Sequence, residues 1–314
     1  MHLSEGVLPL SHAAAWGAAA APFLAVGWRR FSATTRNGTS EERALLGMAG
    51  AVTFAVTLFP IPVPVAGATS HMCATPLMAL LLGPSRTVVL AAVTLLLQAL
   101  FFAHGGLTTL GANIVTLGIV GPWTALACVT VLRAVRVPAV VAVGVACAMA
   151  DVGVYLADAG ILGAALAGPQ PFGYWFARIL LGFAPVQLPL AALEGIMSGL
   201  LMRALCRRRT DLVPAWVSAS VSAPISRPLA AGLALVACSI WGGGAAAEPL
   251  RGIDDTVFAA TAAAAGHASS GPLFSWVQGD VLLFTFSLGS FIAGLIVGTT
   301  WLRLTGRSAQ PHAS

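Results

Sequence analysis

An all-α fold that crosses a membrane several times is predicted by three observations: 58% of the 314 residues are apolar, 9% are charged, and the mean hydropathy is +0.88. Soluble domains carry about 25% charged residues. A soluble globular fold is therefore excluded. The apolar residues also gather in runs close to the length of about 20 that a membrane helix needs, with short polar gaps between them.

Nine such runs follow one another, near 7–28, 44–60, 71–83, 87–103, 111–132, 138–158, 174–202, 228–246 and 281–301. The first contains His12 and carries Gly17, Ala21 and Ala25 at four-residue spacing, which would permit close helix contact. The third is too short to span alone and begins in a Pro/Gly-rich stretch, so it reads as a partly re-entrant segment lining a cavity. The seventh contains Glu194, a carboxylate placed within the hydrocarbon. Residues 207–227 (RRRTDLVPAWVSASVSAPISR) are rich in Ser, Pro and Arg and read as a cytoplasmic linker between a seven-span part and a final helix pair. Residues 247–280 read as an outward loop in that pair.

Charge sets the expected orientation. All 16 basic residues are arginines. With the N-terminus outside, only Arg178 and Arg251 fall on the outer side, which leaves 16 − 2 = 14 in the cytoplasm, in line with the positive-inside rule. Glu5, Asp151, Asp158, Glu248, Asp254, Asp255 and Asp280 are then expected outside. The absence of lysine excludes a P-loop ATPase and Schiff-base chemistry. The arginines lie in gaps between apolar runs and not on a soluble basic face, so no nucleic acid is expected as a partner. The five cysteines lack CxxC spacing and read as buried small hydrophobes, giving neither a disulfide framework nor a zinc ribbon. Met1 is followed by neither a basic n-region nor an uninterrupted apolar run, so no cleavable signal peptide is expected.

Chemistry is expected at the outer ends of the spans, where His2, His71, His104 and His267 fall. A free Met1 amine, the deprotonated amide of His2 and the His2 imidazole can chelate one ion through fused small rings, with the three donors nearly in a plane. A fourth imidazole would complete a square, a geometry that points to Ni(II) or Cu(II) and suits Zn, Mg or Ca poorly. A Met-His start carries little by itself, since many chains begin so. His71 is the best fourth donor, because Pro62, Pro64, Gly67 and Pro76 force irregular backbone around it, and such backbone survives at membrane depth only when sheltered. Cys73 reads as a core thiol in preference to a soft ligand. Gln98, His104 and Asn113 lie in a polar island, where Gln98 and Asn113 could orient metal-bound histidines or simply join helices by hydrogen bonds.

Four segments, MHLSEGVLP, PVAGATSHMCATPLMALLLGP, QALFFAHGGLTTLGANIVTLGIVG and LPLAALEG, occur in this order within residues 1–206. Together they resemble the substrate-binding (S) component of cobalt/nickel energy-coupling-factor transporters, the CbiM/NikM family. The resemblance implies a seven-helix bundle whose N-terminal segment folds inward, with Met1, His2 and His71 as metal ligands and Gln98, His104 and Asn113 around them. It differs from the family's common pattern at Ala74, where glycine is frequent, at His104, where aspartate is common, and at IVTLG after GAN. Residues 228–304 more loosely resemble the two-helix companion subunit of such transporters, closer to the cobalt type.

The resemblance implies a substrate-specific importer subunit in the plasma membrane of a bacterium or archaeon, with no ATPase site of its own. Co(II) or Ni(II) is the expected cargo, slightly favouring cobalt, for cobalamin synthesis or nickel enzymes. The expected partners are a transmembrane coupling (T) subunit, cytoplasmic ATP-binding cassette subunits and the lipid bilayer. Two rivals are an intramembrane metalloenzyme built on His71, His104 and Glu194, and a metal-independent vitamin-binding protein.

Overall fold

An alanine-rich run bounded by Pro9 and Gly38 forms the first helix, α1 (Leu10–Asn37). It opens a computed structural model that describes residues 2–59, 61–63, 68–102, 104–218 and the positions 296, 299 and 300. Apart from those three positions, the expected run 281–301 lies outside the described residues, as do the run 228–246, the loop 247–280 and His267. Helix α2 (Ser40–Thr57) starts in a capping box, in which the Glu42 N–H donates to Thr39 Oγ1 and the Thr39 N–H to Glu42 Oε2. Each bond satisfies a donor that a helix start leaves orphaned.

A three-residue antiparallel pair follows, β1 (Ile61–Val63) with β2 (Ala68–Ser70), and Ile61 faces Ser70 in the register. Helix α3 (Thr75–Leu82) comes next. Its eight residues make it about 12 Å long at 1.5 Å per residue, well short of the hydrocarbon thickness. The expected run 71–83 is thus an extended approach and a short buried helix, because the prolines keep the chain from closing helical hydrogen bonds before Thr75.

Helices α4 (Pro84–Phe102), α6 (Gly121–Ala134), α7 (Ala139–Leu166) and α8 (Phe172–Arg208) supply the length. A single turn, α5 (Leu110–Asn113), enters α6 through a π-helical stretch at Ile114–Val120, which is where the IVTLG departure lies. Thr75 Oγ1 donates to the Leu117 carbonyl inside that wider turn. Among the described residues, five helical units are long and apolar enough to cross a membrane: Leu10–Asn37, Pro84–Phe102, Leu110–Ala134, Ala139–Leu166 and Phe172–Arg208. Their outward faces show apolar side chains such as Trp28, Val131, Leu181 and Leu188, as expected for helices solvated by lipid. The protein is an all-α polytopic membrane protein with one small hairpin among its described residues.

Two sequence expectations change. The small-residue stripe on α1 does not face the bundle at Ala21 and Ala25, which are exposed. The buried small residues are Ala20 and Gly27, seven apart on one face, and a Cβ on Gly27 would lie 2.4 Å from the Ser85 carbonyl oxygen of α4. Asp151 and Asp158, expected outside, are fully buried on α7, because that helix runs on to Leu166 and both side chains face the bundle.

The most extensive contact among the described helices is that of α7 with α8. A Cβ on Gly195 would sit 2.6 Å from the Gly144 carbonyl oxygen, and one on Gly144 would sit 2.8 Å from that of Gly195. Val143, Cys147 and Met202 fill the core beside this contact. Gly195→Ala should therefore destabilise the protein in spite of a helix-propensity gain of up to about 1 kcal/mol, because overpacking costs about 1–3 kcal/mol. Gly182→Ala, on the same helix with open space around it, should be neutral or stabilising. Thermal unfolding of the two variants in detergent checks this.

Candidate metal centre

Residues 2–8 fold into the bundle, anchored by the buried side chains of Leu3, Val7 and Leu8. Asn113 grips this segment with both ends of its amide: the Leu3 N–H donates to Oδ1 (2.8 Å) and Nδ2 donates to the Leu3 carbonyl (3.0 Å). Thr109 Oγ1 donates to the same carbonyl at 2.6 Å. Glu5 accepts from the Thr108 N–H, and the Gly6 N–H donates to Thr108 Oγ1. Gly106 makes the approach possible, since a Cβ there would lie 2.5 Å from the Glu5 Cα.

This brings His2 against His71 and His104. Ring centroids are 4.4 Å apart for His2 and His71, 4.5 Å for His2 and His104, and 5.5 Å for His71 and His104. One nitrogen from each ring lies within 4.8 Å of the others. His71 Nδ1 is paired with the Met72 carbonyl at 2.9 Å, and the His104 backbone N–H donates to the Gln98 carbonyl at 3.2 Å. Nε2 of His71 and of His104, and both ring nitrogens of His2, are buried without a partner among the described residues. An outer carbonyl on one nitrogen and a bare lone pair on the other is the pattern of a metal-binding histidine. Burial holds the His2 imidazole well below the ordinary histidine range, helped by its two histidine neighbours, and brings His104 down to about 4. All three donors are thus held neutral, as ligation requires.

Gln98 and Asn113 do not bond to the histidine rings. Asn113 acts on the backbone beside His2. Gln98 Nε2 donates to Thr57 Oγ1 at 2.7 Å and to the Phe54 carbonyl at 3.3 Å, and its backbone carbonyl holds the His104 backbone N–H. His104, expected outside the ligand set, faces the same point as the other two rings. Met1 lies outside the described residues, and His12 lies partly buried on α1.

The segment that carries His71 has its own scaffold. Ser70 Oγ donates to Gln187 Oε1, and Gln187 Nε2 donates to both oxygens of Asp151 (3.0 and 3.1 Å). Cys73 Sγ donates to Asp151 Oδ1 at 2.9 Å, so this buried thiol belongs to a polar network as well as to the core. The N–H groups of Cys73 and Ala74 donate to the two oxygens of Glu194 at 2.6 and 2.9 Å. Glu194 thereby caps α3, whose N-terminus has no side-chain cap of its own, and steadies Ala74 at φ 56°. A non-glycine residue there costs on the order of 1–2 kcal/mol. Glu194 was expected nearer the inner half, away from the histidines, yet it bonds two and three residues beyond His71. With both oxygens on backbone N–H groups, it is no partner for His71 and His104 in an intramembrane enzyme. Asp151 and Gln187 were missed as site residues; the available signal was a polar side chain within an apolar span.

Known proteins resemble this chain closely. Residues 2–212 match the family CbiM, described as "Cobalt uptake substrate-specific transmembrane region". The cobalt transport protein CbiM of Geobacter sulfurreducens is 40% identical over 311 residues, covering 97% of this chain and 90% of that protein. CbiM of Streptomyces coelicolor is 43% identical over 208 residues, covering 65% of this chain and 88% of that protein. Two solved structures share the fold at 22% identity. A transition metal transporter covers 70% of this chain and 98% of its own at a TM-score of 0.59, and a truncated form covers 66% and 99% at 0.58. Sequence motifs, a buried histidine cluster on a membrane bundle and these relatives agree: the chain belongs to the CbiM family and is a membrane component of metal transport, not an enzyme.

Proposed function

We propose that this protein captures Co(II) at the outer face of the plasma membrane as the substrate-specific subunit of an energy-coupling-factor importer. The observation that carries this reading is the group of three imidazoles, His2 and His71 buried and His104 partly buried, whose facing nitrogens have no partner among the described residues, gathered where the N-terminal segment enters the bundle. The ion is the transported substrate. Its ligands in this reading are the Met1 amine, the amide and imidazole of His2, and the imidazole of His71, which fill a plane. Cobalt is favoured because the relatives are named for cobalt transport. Ni(II) suits a nitrogen square equally well on geometry.

The chain has no lysine to serve an ATP site, so hydrolysis falls to cytoplasmic ATP-binding cassette subunits, reached through a transmembrane coupling subunit. Arginine placement puts the N-terminus outside and the C-terminus in the cytoplasm. Arg209, past the end of α8, pairs with Glu41 at the start of α2 (3.4 Å), which ties together two ends assigned to the same side. Residues 1–206 form the metal-binding unit, 207–227 a linker and 228–304 a companion-like pair. This division is supported by a Geobacter relative aligned over 97% of the chain and a Streptomyces relative aligned over 65%.

One residue added ahead of Met1 displaces the amine and should abolish stoichiometric Co(II) binding, as should His71→Ala, while the apo protein keeps its unfolding temperature. Metal analysis of purified protein with a native N-terminus reads this, and full occupancy in the extended protein would rule out the chelate. Acid should act separately on the metal-free protein. Histidines in the unfolded chain take up protons near pH 6.5, whereas His104 does so only near 4. The unfolded state thus binds more protons in that window, and apo stability should be full above it and fall as pH drops through it. Thermal unfolding of the wild type and of His104→Gln at about pH 7.5 and about pH 4, on either side of the ordinary histidine value, measures the slope; the same change in both proteins would contradict neutral burial.

A further inference from the structure

We propose that His104 is a further ligand of the ion, occupying an axial position, and that this nitrogen tilts the site toward Co(II) over Ni(II). The inference rests on the reading of the site as the N-terminal chelate completed by His71. Three observations carry it. His104 Nε2 is buried with no hydrogen-bond partner among the described residues. Its ring lies 4.5 Å from that of His2, about as close as His71 does, and ligating nitrogens of all three lie within 4.8 Å of one another. Its backbone is fixed by Gln98, whose carbonyl accepts from the His104 backbone N–H at 3.2 Å and whose amide is anchored on Thr57 Oγ1, so the ring is carried on a built support.

The position of the fifth donor follows from the first four. If the amine, the amide nitrogen, the His2 imidazole and His71 fill the plane, a nitrogen approaching the same ion can only come from above or below. An axial nitrogen stands at right angles to those in the plane, so bonds of about 2.0–2.1 Å place it about 2.9 Å from each of them, and closure on the metal draws the three imidazole nitrogens together by at most about 2 Å from separations within 4.8 Å. Selectivity follows from electron count. In a strong nitrogen plane the d8 ion Ni(II) has a filled orbital along the axis, which repels an axial lone pair. The d7 ion Co(II) has one electron there and accepts the donor. A bare square favours nickel, and an axial imidazole returns the advantage to cobalt.

Electron paramagnetic resonance of the Co(II)-loaded full-length protein with a native N-terminus tests this directly. A single axial nitrogen should split the cobalt lines into triplets, and these should become doublets when the protein is grown with heavy-nitrogen histidine. His104→Gln and His104→Phe should remove the splitting. Losing an outer partner costs metal sites about 10–100-fold in affinity, so losing this ligand should weaken Co(II) by at least about tenfold and leave Ni(II) within about twofold. Bound cobalt with no nitrogen splitting in the wild type, or splitting that survives in the variants, overturns the axial role and leaves the chelate standing. Equal losses for both ions overturn the selectivity. A native protein that binds no cobalt overturns the chelate and the axial ligand together. Because the heavy-nitrogen comparison uses the unaltered chain, it decides the matter even if a variant fails to fold.

Discussion

The structure depends on keeping a stretch of non-helical backbone, Ser70 to Ala74, inside a helical membrane bundle. Lipid offers no hydrogen bonds, so every polar group on such a stretch must find a protein partner. Here the partners come from two helices in contact. Gln187 and Glu194 of α8 take the two flanks of His71, and Asp151 of α7 joins them through Gln187 and Cys73. Neither carboxylate has a basic partner among the described residues; their partners are N–H and S–H groups. That arrangement requires α7 and α8 to lie almost backbone to backbone, which explains the glycines at 144 and 195, the latter adjacent to Glu194.

A different device holds the second half of the site. The N-terminal segment has no helical hydrogen bonds before α1, so the segment 108–113 replaces them: the Asn113 and Thr109 side chains on Leu3, the Thr108 hydroxyl on the Gly6 N–H, and the Thr108 N–H on the Glu5 carboxylate. Leu3 supplies the apolar anchor and Asn113 the register, and His2 is thereby presented beside His71. Two segments that are irregular for different reasons meet at one point. The strain at Ala74 belongs to this arrangement, since unfavourable backbone persists only where its surroundings over-determine it.

Much of this was legible in the sequence. Apolar runs gave the long helices, because helical length in a membrane is set by hydrocarbon thickness and shows in composition. Prolines at 62, 64 and 76 flagged the irregular approach to His71. His2 and His71 could be paired because the chain start and a sheltered irregular segment are both unusual places for a histidine. Side-chain direction was less legible. Asp151 and Asp158 fell inside the expected run 138–158, but nothing in their spacing told that α7 continues to Leu166 with both carboxylates turned into the bundle. Gln98 and Asn113 were read as candidate partners of the histidine rings, but only coordinates reveal that their amides bond Leu3, Thr57 and Phe54 instead. His104 looked peripheral because sequence distance from His71 carries no information on which face of a turn meets the other.

The two bonds from α8 to the His71 segment have a thermodynamic corollary. Gln187 and Glu194 are seven residues apart, about 10 Å along the helix, so they grip the segment at two points and resist both translation and rotation. Any free energy that a partner spends in displacing α8 must then reappear as a change in the affinity for the ion, and by reciprocity a bound ion must stiffen α8 against that displacement by the same amount. The helix is in this sense a gauge of occupancy: its mechanical compliance reports, at the far membrane surface, whether the site is full.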